Sequence, residues 1–411
     1  MHAVTDINTE EGLWFVEAFY YYYNRLSEVC ENNRKQKNRF NKFLRTHSRT
    51  GKFYTPIAFL HGRMDGWNGF NARNTWRMVD VKLGDEAPSW KLLKQFYPLD
   101  TLENHGSAKF GYISDEGNEP FGSFSGTPDG SVDVVPVEQG DLSGYSVLAF
   151  AGYNAAEKND LDRLIHFVKN GGTLILCWPH LSDTTKKSEL DVYNLHIIEH
   201  EITKLLCDGE PEFVSDFAEG NEIKVCKNIS QNADIMEKTD GDNPLVASVR
   251  YGSGEIILVN SLYYPGHKSV FPVYNNVVKT VAKRALEKEM CRIECGVDVG
   301  YTIFKQEDGQ RHYYITAVDW YNLSEDARKA KISFDGNTYD ISMQFGDLIK
   351  LVTDGKTAVW PEEDMSEVIS VDDEGIRVQG VGTQRFYVAK DGKTEIVTVN
   401  FDDESVKNLN I

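Results

Sequence analysis

Asn159–His180 reads NDLDRLIHFVKNGGTLILCWPH, and its two halves carry different periods. Leu161, Leu164, Ile165 and Val168 recur at the three-and-four spacing that lays one apolar stripe along a helix. Gly171-Gly172 then stops the helix, because glycine accepts the positive φ found just past a helix end. Thr173–Trp178 follows as a near-continuous apolar run, the pattern of a strand buried on both faces. Tyr145–Ala151, YSVLAFA, supplies the strand before the helix. Strand, helix and strand make a βαβ unit, so the middle of the chain is expected to be a parallel α/β sheet.

Reading outward from this unit, Phe53–Leu60 (FYTPIAFL) is a further strand and Val132–Glu138 (VDVVPVE) another. With right-handed crossovers, these four strands are expected in the order 2-1-3-4, helices on both faces. Between them lie the glycine-broken loop His61–Phe70, a helix opening at Pro88-Ser89 and a polar excursion from Gly106 to Gly130. Further on, Val192, Leu195, Ile198, Ile202 and Leu205 predict an amphipathic helix. Strands near Ile223–Cys226 and Leu245–Tyr251 lead through Gly252-Ser253-Gly254 into EIILVN, and a helix over Val270–Ala285 closes the sheet. Upstream, Phe15, Phe19, Tyr22, Leu26 and Val29 predict an aromatic helix that needs neighbours on several sides.

After about residue 288 the period shortens to two, and YTIFKQ, KISF, YDISM and RFYVAK are parted by DG and GN turns. That is the signature of antiparallel hairpins. Three domains are therefore expected: a helical segment over 1–50, an α/β domain over 51–288 and an antiparallel β-sandwich over 289–411.

With 411 residues, 41% of them apolar, the chain has ample material for cores. Its net charge of −19 speaks against nucleic acid, whose phosphates call for clustered Lys and Arg, and against anionic membrane surfaces. Six cysteines lie scattered without a CxxC pair, which gives no zinc site and points to reduced thiols. No apolar run reaches membrane-spanning length, and MHAVTDINTEEG lacks the basic and apolar regions of a signal peptide. A cytoplasmic setting is the expectation, with no cofactor.

In open parallel sheets ligands sit at the carboxyl ends of the strands. Those ends carry His61, Arg63, Asp65 and Trp67, then Tyr153 and Asn154, then Trp178 and His180. Trp67 and Trp178 are candidate flat faces for sugar C–H groups, and Arg63 and Asp65 candidate polar contacts. The competing reading is that all eight order their own loops. A nucleophile elbow needs Ser or Cys on a tight strand-to-helix turn, but Phe150–Ala155 reads FAGYNA, with the glycine and no nucleophile. Cys177 lies inside a strand, where a buried inert thiol is the commoner state. No glycine-rich phosphate loop opens a helix. Among 63 acids, spacing alone selects no glycosidase pair, so no catalytic residue is assigned.

The segments THSRTGKFYTPIAFLHGRMDGW, VDVVPVE, YSVLAFAGYN, HFVKNGGTLIL and VRYGSGEIILVNS, in this order, resemble the back half of family 42-type β-galactosidases and related barrel glycosidases. The resemblance implies a flavodoxin-like, class I amidotransferase-like "trimerisation" domain without its nucleophile, followed by a small β-domain. It implies a non-catalytic assembly and substrate-shaping role, with carbohydrate as ligand. The partners implied are further copies in a dimer or trimer, or a catalytic barrel on another chain. The barrel strands bearing the catalytic glutamates have no counterpart in these segments. A free-standing enzyme using the amidotransferase-like cleft and a lectin-like carbohydrate-binding protein are the alternatives.

Overall fold

The computed structural model describes residues 51–63, 130–183, 195–296, 299–317, 329–344, 347–363 and 366–409, with isolated positions at 20–21, 25–26, 38 and 92. Asp65, Trp67 and, apart from Leu92, the helix expected at Pro88 lie outside the described residues. The first correction falls in the opening segment. Where an aromatic helix is expected, β1 (Tyr20–Tyr21) and β2 (Arg25–Leu26) pair antiparallel, Tyr20 opposite Leu26. Consecutive aromatics suit an extended, pleated backbone better than a helix, and here that preference prevails.

Contacts divide the chain into two compact units. The first spans Tyr54–Arg292; the second is built from Ile293–Ile411 with the short strand β3 (Lys52–Phe53).

The first unit is organised on a seven-stranded sheet. Its strands are β4 (Ile57–His61), β5 (Val132–Pro136), β6 (Val147–Phe150), β7 (Thr173–Leu176), β10 (Asp234–Lys238), β11 (Pro244–Tyr251) and β12 (Gly254–Val259). The order is β10-β11-β12-β7-β6-β4-β5. Across β12, β7, β6, β4 and β5 every pairing is parallel, and the first four strands stand in the order 2-1-3-4. A wholly parallel sheet is nevertheless not what forms. β11 turns back on β12 at Gly252-Ser253, and β10 adds antiparallel to β11, so the sheet is mixed. β8 (Phe213–Ala218) and β9 (Asn221–Cys226) form a separate hairpin.

Alternation explains the layers, since successive strand residues point to opposite faces. Ile57, Phe59, Val147, Ala149, Ile175 and Ile257 face one side, against Val273, Tyr274, Val277 and Val281 of α3 (Phe271–Leu286). Ala58, Leu60, Leu148, Phe150, Leu174 and Leu176 face the other, against Leu161, Leu164, Ile165 and Val168 of α1 (Lys158–Lys169). Gly171 ends α1 at φ +107°, donating to the Val168 carbonyl, as the double glycine predicts. The helix expected over Val192–Leu205 is cut short. Val192 lies outside the described residues, and from Leu195 onward only α2 (Glu201–Leu206) is helical, because Ile197 pairs as an isolated bridge with Ser182 and the His200 imidazole caps Ile202 N–H.

The second unit is built on antiparallel strand pairs. β3, β14 (Val299–Lys305), β15 (Arg311–Ala317), β18 (Leu348–Thr353), β19 (Thr357–Pro361), β20 (Ser366–Asp372) and β21 (Gly375–Lys390) form one sheet, with β22 (Lys393–Leu409) paired to β21. β13 (Arg292–Cys295), β16 (Lys329–Phe334) and β17 (Asn337–Ser342) form a smaller one. Tyr339 of the small sheet meets Trp360 of the large one at 5.2 Å between ring centroids. Two hairpins close over Asp335-Gly336 and Asp391-Gly392, all four at positive φ, the turn that matches strand twist. Taken over the described residues, the chain is mainly β and not α/β throughout.

Candidate functional site

At the carboxyl edge of the parallel strands, the loops after β4, β6 and β7 meet. Asn154, buried completely, joins them: its Oδ1 accepts from Arg63 N at 3.2 Å and its Nδ2 donates to the His180 carbonyl at 2.8 Å. The approach is close. A Cβ on Gly62 would stand 1.9 Å from the Tyr153 carbonyl oxygen, so only glycine fits there.

His180 belongs to a short 3-10 turn, Trp178–Leu181, and has no exposure. Its Nδ1 accepts from the Cys177 N–H at 2.8 Å, which leaves Nε2 to donate to the Gly152 carbonyl at 3.1 Å. The ring stacks on Phe150 at 4.5 Å and meets Tyr264 edge-on. Burial pushes its pKa down to about 3, against weaker opposition from those backbone bonds. His180 is therefore a neutral imidazole at neutral pH and no proton shuttle.

Trp178 is also fully buried. Its Nε1 donates to Asn260 Oδ1 at 2.7 Å, and its ring meets Phe213 edge-on at 5.8 Å. A ring without exposure offers no face to a sugar. Cys177 is equally buried, and burial raises its thiol well above the ordinary range. A thiolate nucleophile there is disfavoured.

The half-buried members are His61, Arg63 and Tyr153. Desolvation lowers the His61 pKa against the nearby Glu138 charge. Tyr153 packs on Tyr264 at 4.3 Å. Arg63 is held by carboxylates: Nε lies 2.6 Å and Nη2 3.1 Å from the two Asp160 oxygens, with Glu157 at 3.2 Å and Glu138 at 3.5 Å. Asp160 has no exposure and also binds Arg163, which donates further to the Val137 carbonyl.

This charged knot stands at the edge between β4 and β6, where the strand order reverses and ligands ordinarily enter. Replacing Arg63 with Met should cost about 2 kcal/mol, below the usual loss for breaking a buried pair because Asp160 keeps Arg163. Glu138→Gln, at a 42% exposed side chain, should cost under about 1 kcal/mol. Urea denaturation of both variants checks the ranking.

Three residues central to this edge were not among the sequence candidates. Asp160 sits in the first turn of α1, where a buried charge looks like an ordinary helix-start acid. Asn260 and Tyr264 follow β12. The carboxyl-end rule, applied to that fifth parallel strand, would have found them. Among the described residues no cluster of His, Cys, Asp and Glu could hold a metal ion. No described helix is long and apolar enough to cross a membrane.

No family model matches the chain, and no curated protein matches it in sequence. Among solved structures it is similar to Gan42B, a GH42 β-galactosidase from G. stearothermophilus, at 13% identity and TM-score 0.38, over 73% of this chain and 40% of that one. A β-galactosidase from Bacillus circulans sp. alkalophilus matches at 10% identity and TM-score 0.36, over 74% and 42%. One from the Antarctic haloarchaeon Halorubrum lacusprofundi matches at 14% and 0.34, over 87% and 41%. The chain thus spans about two fifths of the length of these structures. Likeness this distant assigns neither a fold nor an activity.

Proposed function

We propose that the chain is a non-catalytic assembly and substrate-shaping part of a carbohydrate-active glycoside hydrolase of β-galactosidase type. The observation that carries the non-catalytic half is the burial of the described side chains at the carboxyl edge. Asn154, Trp178, His180 and Asp160 are buried and engaged with one another's loops, and the one thiol there is buried and held protonated. The carbohydrate half rests on the sequence segments resembling family 42-type enzymes. On this reading the parallel strands with helices on both faces are the amidotransferase-like, flavodoxin-like part of a trimerisation domain over 51–288. Residues 289–411 are its β-sandwich, and 1–50 pack on a barrel. Partners are further copies of the chain or a catalytic barrel, in a cytoplasmic setting.

Sugar contact then falls to the half-buried His61, Arg63 and Tyr153, with Asp65 and Trp67 remaining candidates from the sequence, and the buried Trp178 and His180 hold the loops. Light scattering of the purified chain beside a panel of nitrophenyl glycosides tests the reading. A dimer or trimer without turnover is expected. Turnover abolished by Cys177→Ala would overturn it in favour of a free-standing enzyme.

A further inference from the structure

Two surfaces of the first unit carry opposite charge, on a chain whose net charge is −19. The first is the outer side of α3 with its flanks. Six cations stand there, Lys268, Lys279, Lys283, Arg284, Lys288 and Arg292, against two carboxylates, Glu287 and Glu289. All six cations are exposed. Lys283 and Arg284 lie in the last turn, where the helix dipole favours positive charge, and they pair with Glu287 and Glu255. That account does not extend to Lys279, in the middle of the helix, or to Lys268, ahead of its start, where the dipole opposes a cation. Among the described residues Lys268, Lys279 and Lys288 make no ion pair. Met290, 37% exposed, adds an apolar side chain beside them.

The second surface is β10, the edge of the seven-stranded sheet. All five of its side chains are exposed, and Asp234 and Glu237 flank Ile235 and Met236, which are 39% and 53% exposed. The turn into β11 adds exposed Asp240, whose N–H donates to the Phe217 carbonyl at 2.9 Å. That bond brings Phe217, 52% exposed, to the same edge. Among the described residues Asp234, Glu237 and Asp240 make no ion pair. Apolar side chains in water with charges around them have the makeup of an interface. β10 does not offer a straight ladder for another strand. It is short, and its register against β11 shifts at two points, both devices that keep an edge from pairing. Contact there falls to side chains.

We propose that the α3 side of one copy docks on the β10 edge of the next copy of this chain. The inference rests on the assembly reading above and names its surfaces. Chains this acidic repel one another, so copies hold together only where opposite charges face each other. A two-fold contact through α3 would set cations against cations, and one through β10 would set carboxylates against carboxylates. Pairing the one surface with the other is complementary. The two lie apart, since α3 covers a face of the sheet and β10 is its edge. Each docked copy therefore leaves one of its surfaces unfilled. Association of this heterologous kind continues until a ring of more than two copies closes, or runs on as an open chain.

The test follows the mass of the full chain by analytical ultracentrifugation over a concentration series. It compares about 0.1 M with about 1 M salt, where charges are screened beyond about 10 Å and about 3 Å. The wild type should associate at the lower salt and come apart at the higher. Lys279→Glu with Lys288→Glu, or Asp234→Lys with Glu237→Lys, sets like charges face to face. Each pair of substitutions should raise the concentration of half-association at least about tenfold. Combining all four in one chain exchanges the signs of the two surfaces and should restore association. A wild type that stays monomeric at both salts overturns this inference together with the assembly reading. A two-fold dimer, or an assembly unmoved by salt and by both reversals, overturns this inference and leaves that reading standing. Circular dichroism checks that the variants fold, and the wild-type salt series decides the matter where one does not.

Discussion

Asn260→Ala should destabilise the first unit by about 4 kcal/mol, at roughly 1 kcal/mol for each of four hydrogen bonds lost. Asn260 has no exposure, and every polar atom of its side chain is used. Oδ1 accepts from Trp178 Nε1 at 2.7 Å and from Cys226 N at 2.9 Å. Nδ2 donates to the carbonyls of Cys226 and Pro244 at 2.8 and 2.7 Å. The residue thus links the turn after β7, the end of β9 and the start of β11. Alanine orphans all four groups at once at a buried position, where an unmade bond costs more than a made one gains. Trp178→Phe removes one donor and keeps most of the ring, so it should cost nearer 1–2 kcal/mol. Urea denaturation of the two variants gives the comparison. An Asn260→Ala loss no larger than that of Trp178→Phe would show that the other three bonds carry nothing.

The parts of the fold that the sequence made legible are those where burial leaves one pattern available. Thr173–Leu176 is apolar on consecutive residues because both faces are covered, so its parallel neighbours and their order followed. The Asp-Gly turns were legible because few residues accept positive φ twice in a row. β10 was not legible. All five of its residues are exposed, so no alternation marks it, and it exists because β11 presents an edge to pair with. The Val192–Leu205 stripe misled because an apolar residue at helical spacing can pack on the core from a loop as well, as the partly buried Ile198 does.

At the candidate site, the meeting of three loops follows from strand polarity alone. What sequence cannot give is whether a side chain at a strand end turns outward or folds back. Trp178 and His180 fold back, and the acceptors that hold them, Asn260 and the Gly152 carbonyl, lie far away in sequence.

His180 should make the protein acid-sensitive well above the range where carboxylates titrate. Its pKa in the fold is about 3, against about 6.5 for a free imidazole. Between those values the unfolded chain binds a proton that the folded chain refuses, so stability rises with pH across this window. The contribution is complete above about pH 6.5 and is lost as the pH falls toward 3, at up to 1.4 kcal/mol per pH unit and roughly 5 kcal/mol at most. The backbone bonds to Gly152 and Cys177 oppose the effect of burial only weakly. Phe150 and Tyr264 flank the ring, and both nitrogens are committed to backbone groups that fix the neutral tautomer. Protonation would turn Nδ1 from acceptor to donor against the Cys177 N–H, breaking that bond as well as burying a charge. Other histidines and the carboxylates also titrate on acidification, so the informative quantity is a difference between two proteins. His180→Leu should be less stable than wild type at pH 7, where the imidazole bonds are intact. Its deficit should shrink by about 2 kcal/mol on going to pH 5, because the variant has no buried imidazole to protonate. Urea titrations of both proteins at pH 7, 6 and 5 measure the deficit directly. If it stays constant, the imidazole is reaching solvent in the folded state and the buried turn at Trp178–Leu181 is more open than its hydrogen bonds imply.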